Sequence, residues 1–325
     1  MTRTGHTPVP DGTAGTEETD RAAGAVGTAG TAGTADREAA RPQPARHESA
    51  PPRTPPHGPA HAWRVVWRIT RLNFKARLEY RGEFLMNVAV GAIWQVSIVV
   101  FASVLLTRFP GLGGWSSSDV LLIASMRMLA HGLYVLFLGR VQYMQVLVQE
   151  GVVDPCLIRP MPVYRQVQLA FFPVNAIGDL VVAAGLFVAA LQRSSLDWTA
   201  GRITYVLAGV VGGMLVEAAL FTALAAAALH FPATAYWSQW LEELMGTFGS
   251  YPLSILPRAV SAAFTFVVPL AFIAYFPAGV LTGHGAAMGV PEALAVASPF
   301  VGLTAFVLSR LLWNWSLSKY TGVNG

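Results

Sequence analysis

The chain has 325 residues, 54% of them hydrophobic and only 12% charged, about half the charged share of an ordinary soluble domain at roughly 25%. Its formal net charge is +4, and six Arg and seven Asp+Glu of its 22 Lys+Arg and 18 Asp+Glu fall within residues 1–61, so the remainder is poorer still in charge. A single water-exposed globule is excluded, and the composition reads as an all-α integral membrane protein with a polar tail.

One cysteine, Cys156, rules out a disulfide framework or a multi-cysteine cluster. The two lysines, Lys75 and Lys319, follow no G-x-x-x-x-G, so the chain builds no phosphate-cradling NTPase loop. Most basic residues beyond the tail flank apolar runs, where topology and anionic lipid account for them without nucleic acid.

Residues 1–61 repeat Gly, Thr, Ala and Pro with almost no large apolar side chains, and disorder is expected. The stretch 62–82 sets Arg64, Arg68, Arg71 and Lys75 on one helical stripe beside Trp63, Trp67, Phe74 and Leu78, which predicts an amphipathic interfacial helix. Residues 83–325 then form a membrane domain of about six spans, near 84–107, 118–139, 168–191, 203–229, 258–281 and 293–317. With the N-terminus inside, the basic flanks fall mostly on the inner side, which predicts both termini in the cytoplasm.

The second span carries Arg127 and, a turn later, His131; the fourth carries Glu217. Each such charge costs about 2.5–3.5 kcal/mol if it faces lipid, so all should face protein or water. An Arg127–Glu217 ion pair, a proton or cation site at Glu217, and independent polar contacts are the three readings. In the third span Asn175 and Asp179 sit one turn apart and Gly178 admits a neighbouring backbone; in the fourth Gly209 and Gly213 give the spacing of tight helix association.

Between the second and third spans the order Glu150-Gly151-Val152-Val153-Asp154-Pro155-Cys156-Leu157-Ile158-Arg159-Pro160-Met161-Pro162 is the most informative in the chain. Gly151 allows a sharp exit, Asp154 can cap a helix whose first residue is Pro155, and Pro160 with Pro162 ends it. Leu157 and Ile158 offer apolar anchors among charges, a composition suited to a partner's groove. Trp237 to Glu243 reads as an amphipathic cytoplasmic helix with Glu242 and Glu243 toward water, either a docking element or a surface anchor. Pro269 and Pro277 interrupt the fifth span, leaving either a re-entrant outer segment or two Pro-kinked helices.

The G-x-x-D-P-x-L-I-R-P-x-P linker, the basic helix, the Tyr251-Pro252…Ile255…Pro257-Arg258 approach, the Val268–Pro277 stretch and the terminal W-x-x-S-L-S-K-Y-x-G resemble the permease subunits of bacterial ABC-2-type exporters over about residues 62–322. The resemblance implies an ATP-driven exporter of the bacterial plasma membrane in which this chain binds no cofactor. ATP and Mg would then sit on a separate ATPase subunit, gripping Glu150, Gly151, Asp154, Pro155, Leu157, Ile158, Arg159, Pro160 and Pro162. Six spans are few for an enclosed path, so a second permease chain, identical or related, is expected beside membrane lipid. The competing reading is a self-sufficient ion-coupled secondary transporter using Glu217 or Asp179. A membrane-embedded enzyme is disfavoured, because His131, His230 and His284 have no metal-ligand spacing and no H-E-x-x-H or G-x-S-x-G occurs.

Overall fold

The computed structural model describes residues 59–108, 114–194, 196–231 and 235–322, so the tail expected to be disordered lies, for residues 1–58, outside the described residues. Helix α1 (Pro59–Glu79) meets α2 (Arg81–Arg108) across Tyr80, and α3 is Ser117–Phe137. A reciprocal capping box starts α3: the Ser116 hydroxyl accepts from the Asp119 amide and the Asp119 carboxylate accepts from the Ser116 amide. After a 3₁₀ turn at Gly139–Tyr143 come α4 (Met144–Gln149), the one-turn α5 (Asp154–Leu157) and α6 (Val163–Leu169). Helices α7 (Asn175–Arg193), α8 (Ala200–Ala228), α9 (Ala235–Phe248), α10 (Arg258–Phe266), α11 (Tyr275–Leu281), α12 (Glu292–Val296) and α13 (Ser298–Ser318) complete the order.

Among the described residues, four helices, α3, α7, α8 and α13, are long and apolar enough to cross a membrane. Their outward faces carry apolar stripes at helical spacing, Ile203, Leu207 and Val211 on α8 and Leu303, Val307 and Leu311 on α13, all exposed. Contiguous apolar surface of this kind is covered by lipid, not water.

Because lipid is as apolar as leucine, close backbone approach rather than hydrophobic drive holds such helices together. Helices α8 and α13 run parallel in tight contact: a Cβ on Gly302 would overlap the Gly212 carbonyl, and one on Gly212 would lie 2.6 Å from Pro299 Cα. Helices α2 and α7 share the device, with Gly178 under the Val88 carbonyl and Gly91 against the carbonyl of Asn175. The expected role of Gly178 is met there, while Gly209 and Gly213 receive Pro277 and the Ile273 carbonyl.

That last contact corrects the fifth span. Residues 258–281 are not one crossing: α10 ends at Phe266, Pro269 stops the chain, and a 3₁₀ turn at Leu270–Phe272 reverses it into α11. The reversal reaches the middle of the bundle, Ile273 against Gly213 and Ala130, and α11 climbs back until Gly279 meets the indole of Trp115. Since Ser254, just before α10, accepts from Trp115 Nε1 at 3.0 Å, the segment enters and leaves at one end. It is a re-entrant hairpin, one of the two forms left open by the prolines, and its Leu270, Ile273, Ala274 and Phe276 are buried in the bundle.

The lengthwise run expected of 258–281 is supplied by α9 instead. Helix α9 starts against the 3₁₀ turn at Gly139–Tyr143, and Gly249, just past its end, stands beside Arg127 in the middle of α3. The chain then continues to Ser254 at Trp115. The expectation of a surface helix at 237–243 is therefore wrong. Its amphipathic pattern is real, and its exposed polar face, Gln239, Glu242 and Glu243, lines one side of an open cavity beside the bundle. Arg258 consequently moves to the Trp115 end, and the excess of basic residues at the opposite, linker end survives the change.

Helix α1 is tied to the linker end: Asn73 Nδ2 donates to the Leu169 carbonyl at 2.7 Å, and Phe74 packs edge-on against Phe84 and Phe172. Arg64, Arg68, Arg71 and Lys75 are exposed, as are Trp63 and Trp67 at 70% and 63%.

Candidate functional site

The linker after α3 is built as a braced platform. Gly151 takes a left-handed φ of +69°, which closes α4 with the Val152 amide donating to the Leu147 carbonyl at 2.9 Å. The turn sends Val153 and Cys156 inward as buried side chains, with the Cys156 thiol donating to the Val152 carbonyl at 3.3 Å. Gln166 Nε2 forks to the carbonyls of Cys156 at 2.8 Å and Met161 at 2.6 Å, closing the loop over α5.

Pro155 occupies the first turn of α5 as expected, but Asp154 caps nothing. Its carboxylate instead accepts the Tyr320 hydroxyl at 3.0 Å from 166 positions away. Gly322, at φ +89°, passes over the same carboxylate. Burial and the adjacent Asp154 charge push the Tyr320 phenol up to about 12, so it stays a donor throughout the physiological range.

Below the loop, Tyr164 hydrogen-bonds Thr222 of α8 at 3.1 Å, meets Trp313 of α13 edge-on at 5.6 Å, and carries the Arg310 guanidinium 3.5 Å over its ring. Ser316 then donates to the Ala226 carbonyl at 2.6 Å. Side chains in contact thus join the linker to α8 and α13.

The opposite face of the platform is exposed. Ile158 is 88% and Leu157 45% exposed, and Glu150, Pro155, Arg159, Pro160 and Pro162 are exposed around them. Every linker residue expected to dock is therefore outward except Gly151 and Asp154, which shape and hold the loop.

A second feature is a cavity of about 1160 Å³ between α2, α3, α7 and α9. Arg127, His131 and Asp179 reach it from two helices, joined by Arg193, Glu242 and Glu243. Glu217 stands behind this wall. The anticipated Arg127–Glu217 pair does not form: Glu217 Oε1 lies 2.5 Å from His131 Nδ1, and Arg127 Nε, buried, has no hydrogen-bond partner among the described residues. The spacing explains the exchange, since His131 is one turn nearer the linker end, at the level where α8 presents Glu217. Among the described residues no group of three His, Cys, Asp or Glu could hold a metal ion.

Sequence reasoning missed the brace of Tyr164, Gln166 and Thr222 and the function of Glu242 and Glu243 as cavity lining. Tyr320 lay within the terminal motif quoted above, yet nothing in that motif names Asp154 as its partner.

Lipid-facing helices, a largely apolar cavity reached by buried charged residues and a braced linker at one end fit a membrane transport permease. The chain belongs to the ABC-2 family transporter proteins, whose family model matches residues 92–324. No curated protein and no solved structure matches it.

Proposed function

We propose that this chain is the membrane subunit of an ATP-driven exporter and that a separate ATPase chain, holding ATP and Mg, grips the 150–162 linker. The observation that carries the reading is the platform's two-sidedness: Ile158 and Leu157 stand free for a partner while Asp154 and Tyr164 are tied to α13 and α8. Closure of two ATPase chains would pull α5 and bias the bundle between two arrangements. The cavity is the path, and its exposed Glu242 and Glu243 at membrane depth call for a second permease chain to cover them. The basic linker end faces the cytoplasm of a cell membrane.

The reading is tested by coexpressing the permease with its ATPase and measuring ATP hydrolysis and complex recovery for the wild type and a Gly151–Pro162 deletion. Stimulated hydrolysis abolished by the deletion supports it; an unaltered complex with unaltered hydrolysis overturns it. The ion-coupled alternative draws support from the His131–Glu217 pair beside the cavity, whose Glu217 Oε2 lacks a hydrogen-bond partner among the described residues. It requires transport in vesicles driven by an ion gradient without ATP.

A further inference from the structure

The cavity is lined by polar groups that the fold buries and leaves unsatisfied. Arg127 Nε, Gln95 Oε1 and Ser250 Oγ have no hydrogen-bond partner among the described residues, and these side chains are only 4%, 1% and 4% exposed. All three residues line the same space. A buried donor or acceptor left unpaired is costly, and because these three atoms are sealed from the cavity that their residues line, a small turn of each side chain toward a ligand's polar group would satisfy it.

The charges of the lining are of both signs and are separated. The Arg127 side chain packs against Gly249, its Cγ 3.4 Å from the position of a glycine Cβ there. Glu242 and Glu243 lie about two turns earlier on α9, roughly 10 Å along its axis. Among the described residues no carboxylate lies within ion-pair distance of Arg127, and His131 is committed to Glu217. The same cavity is lined by the apolar Trp94, Leu121, Met128 and Leu186, and Asp179 and Arg193 add one further charge of each sign.

A simple anion satisfies Arg127 but adds charge beside two glutamates, whereas a simple cation leaves Arg127 desolvated and unpaired. A guanidinium offers planar, charge-assisted donors suited to phosphate or carboxylate. We infer that the cavity binds a zwitterionic amphiphile, with its phosphate or carboxylate on Arg127, Ser250 and Gln95, its cationic group on Glu242 and Glu243, and its hydrocarbon along the apolar walls. The inference deepens the reading of this cavity as the transport path by naming the class of cargo.

The test uses the purified full chain in maltoside micelles and titration calorimetry with four probes: dodecylphosphocholine, dodecyl phosphate, dodecyltrimethylammonium and the tail-less glycerophosphocholine. Dodecylphosphocholine should bind at least about tenfold tighter than any other probe. Arg127→Gln should weaken dodecylphosphocholine and dodecyl phosphate by about tenfold and spare dodecyltrimethylammonium, while Arg127→Lys keeps most of the affinity. The double substitution Glu242→Gln with Glu243→Gln, at exposed positions that folding tolerates, should weaken the zwitterion and the cation and spare the anion.

Equal weakening of all charged probes, no weakening by either variant, or tail-less binding as tight as dodecylphosphocholine overturns the inference. If Arg127→Gln does not fold, the glutamate pair decides alone by the same pattern. Binding is read without the ATPase, so a failure here with ATPase stimulation intact removes the cargo class only. Selective binding without ATPase stimulation removes only the ATP-driven reading.

Discussion

Substituting Ile158 by alanine separates docking from folding more cleanly than any other change. Ile158, just past the end of α5, is 88% exposed, so the isolated permease gains almost nothing from its side chain. If a partner's groove buries it, truncation to alanine removes three carbon groups from that contact, at about 0.8 kcal/mol each. The sum of about 2.4 kcal/mol corresponds to an affinity loss of about sixtyfold. Central apolar anchors commonly reach such values. Thermal unfolding of the purified variant should match wild type, because no core atom is removed. Val153, just before α5 and 0% exposed, supplies the opposite control, with Val153→Ala lowering stability by about 1–2 kcal/mol. The assay is equilibrium binding of the ATPase chain to immobilised permease, alongside a melting curve. Affinity within about threefold of wild type, or a melting point that falls as far for Ile158→Ala as for Val153→Ala, would refute the assignment of α5 as a docking surface.

Four further outcomes follow from the packing. Glu217→Ala should cost about 1–3 kcal/mol in unfolding stability by leaving the His131 ring nitrogen without its hydrogen-bond partner. A double-mutant cycle of Glu217→Ala with His131→Ala should show coupling above about 0.5 kcal/mol, and one with Arg127→Ala should be additive within that limit. Gly302→Ala drives a methyl into the Gly212 carbonyl and should lower stability by about 1–3 kcal/mol, whereas Gly185→Ala, which opens onto empty space, should leave the melting point unchanged. Tyr320→Phe removes the bond to Asp154 and should reduce ATPase stimulation without changing partner affinity by more than about threefold. Because the Tyr320 phenol is raised to about 12, it is protonated below that value and loses its donor only as pH approaches it. Coupling through this bond should therefore show no tyrosine titration between pH 6 and 9, and an inflection in that window that Tyr320→Phe abolishes would contradict it.

Local chemistry made the linker legible. Gly151 needs a positive φ, Pro155 suits a first turn, and Pro160 with Pro162 forbids continuation, all of which the fold obeys. Close helix approach was equally readable at Gly178, since only a missing side chain lets the Val88 carbonyl in. Partners across the fold were not readable. Depth along a helix suggested Arg127 for Glu217, yet azimuth and a single turn of register decide such pairs, and these belong to the packing of α3 on α8. Helix α9 was misread because its Trp and Glu pattern looks the same whether the polar face meets bulk water or an open cavity beside the bundle. Residues 258–281 carry the apolarity of a span, and Pro269 signals a break without saying that the chain turns back. The Asp154–Tyr320 bond joins two motifs that were each noticed, but no short-range rule connects them.

The central claim is that another polypeptide grips the linker. It is tested most directly by site-specific crosslinking of Ile158→Cys, in a Cys156→Ala background, to the coexpressed ATPase chain in native membranes. The account predicts a crosslinked pair whose yield changes with nucleotide, and protection of this position from an impermeant thiol reagent added outside the cell. Labelling from outside, or the absence of any ATPase crosslink while the variant still stimulates hydrolysis, would contradict it.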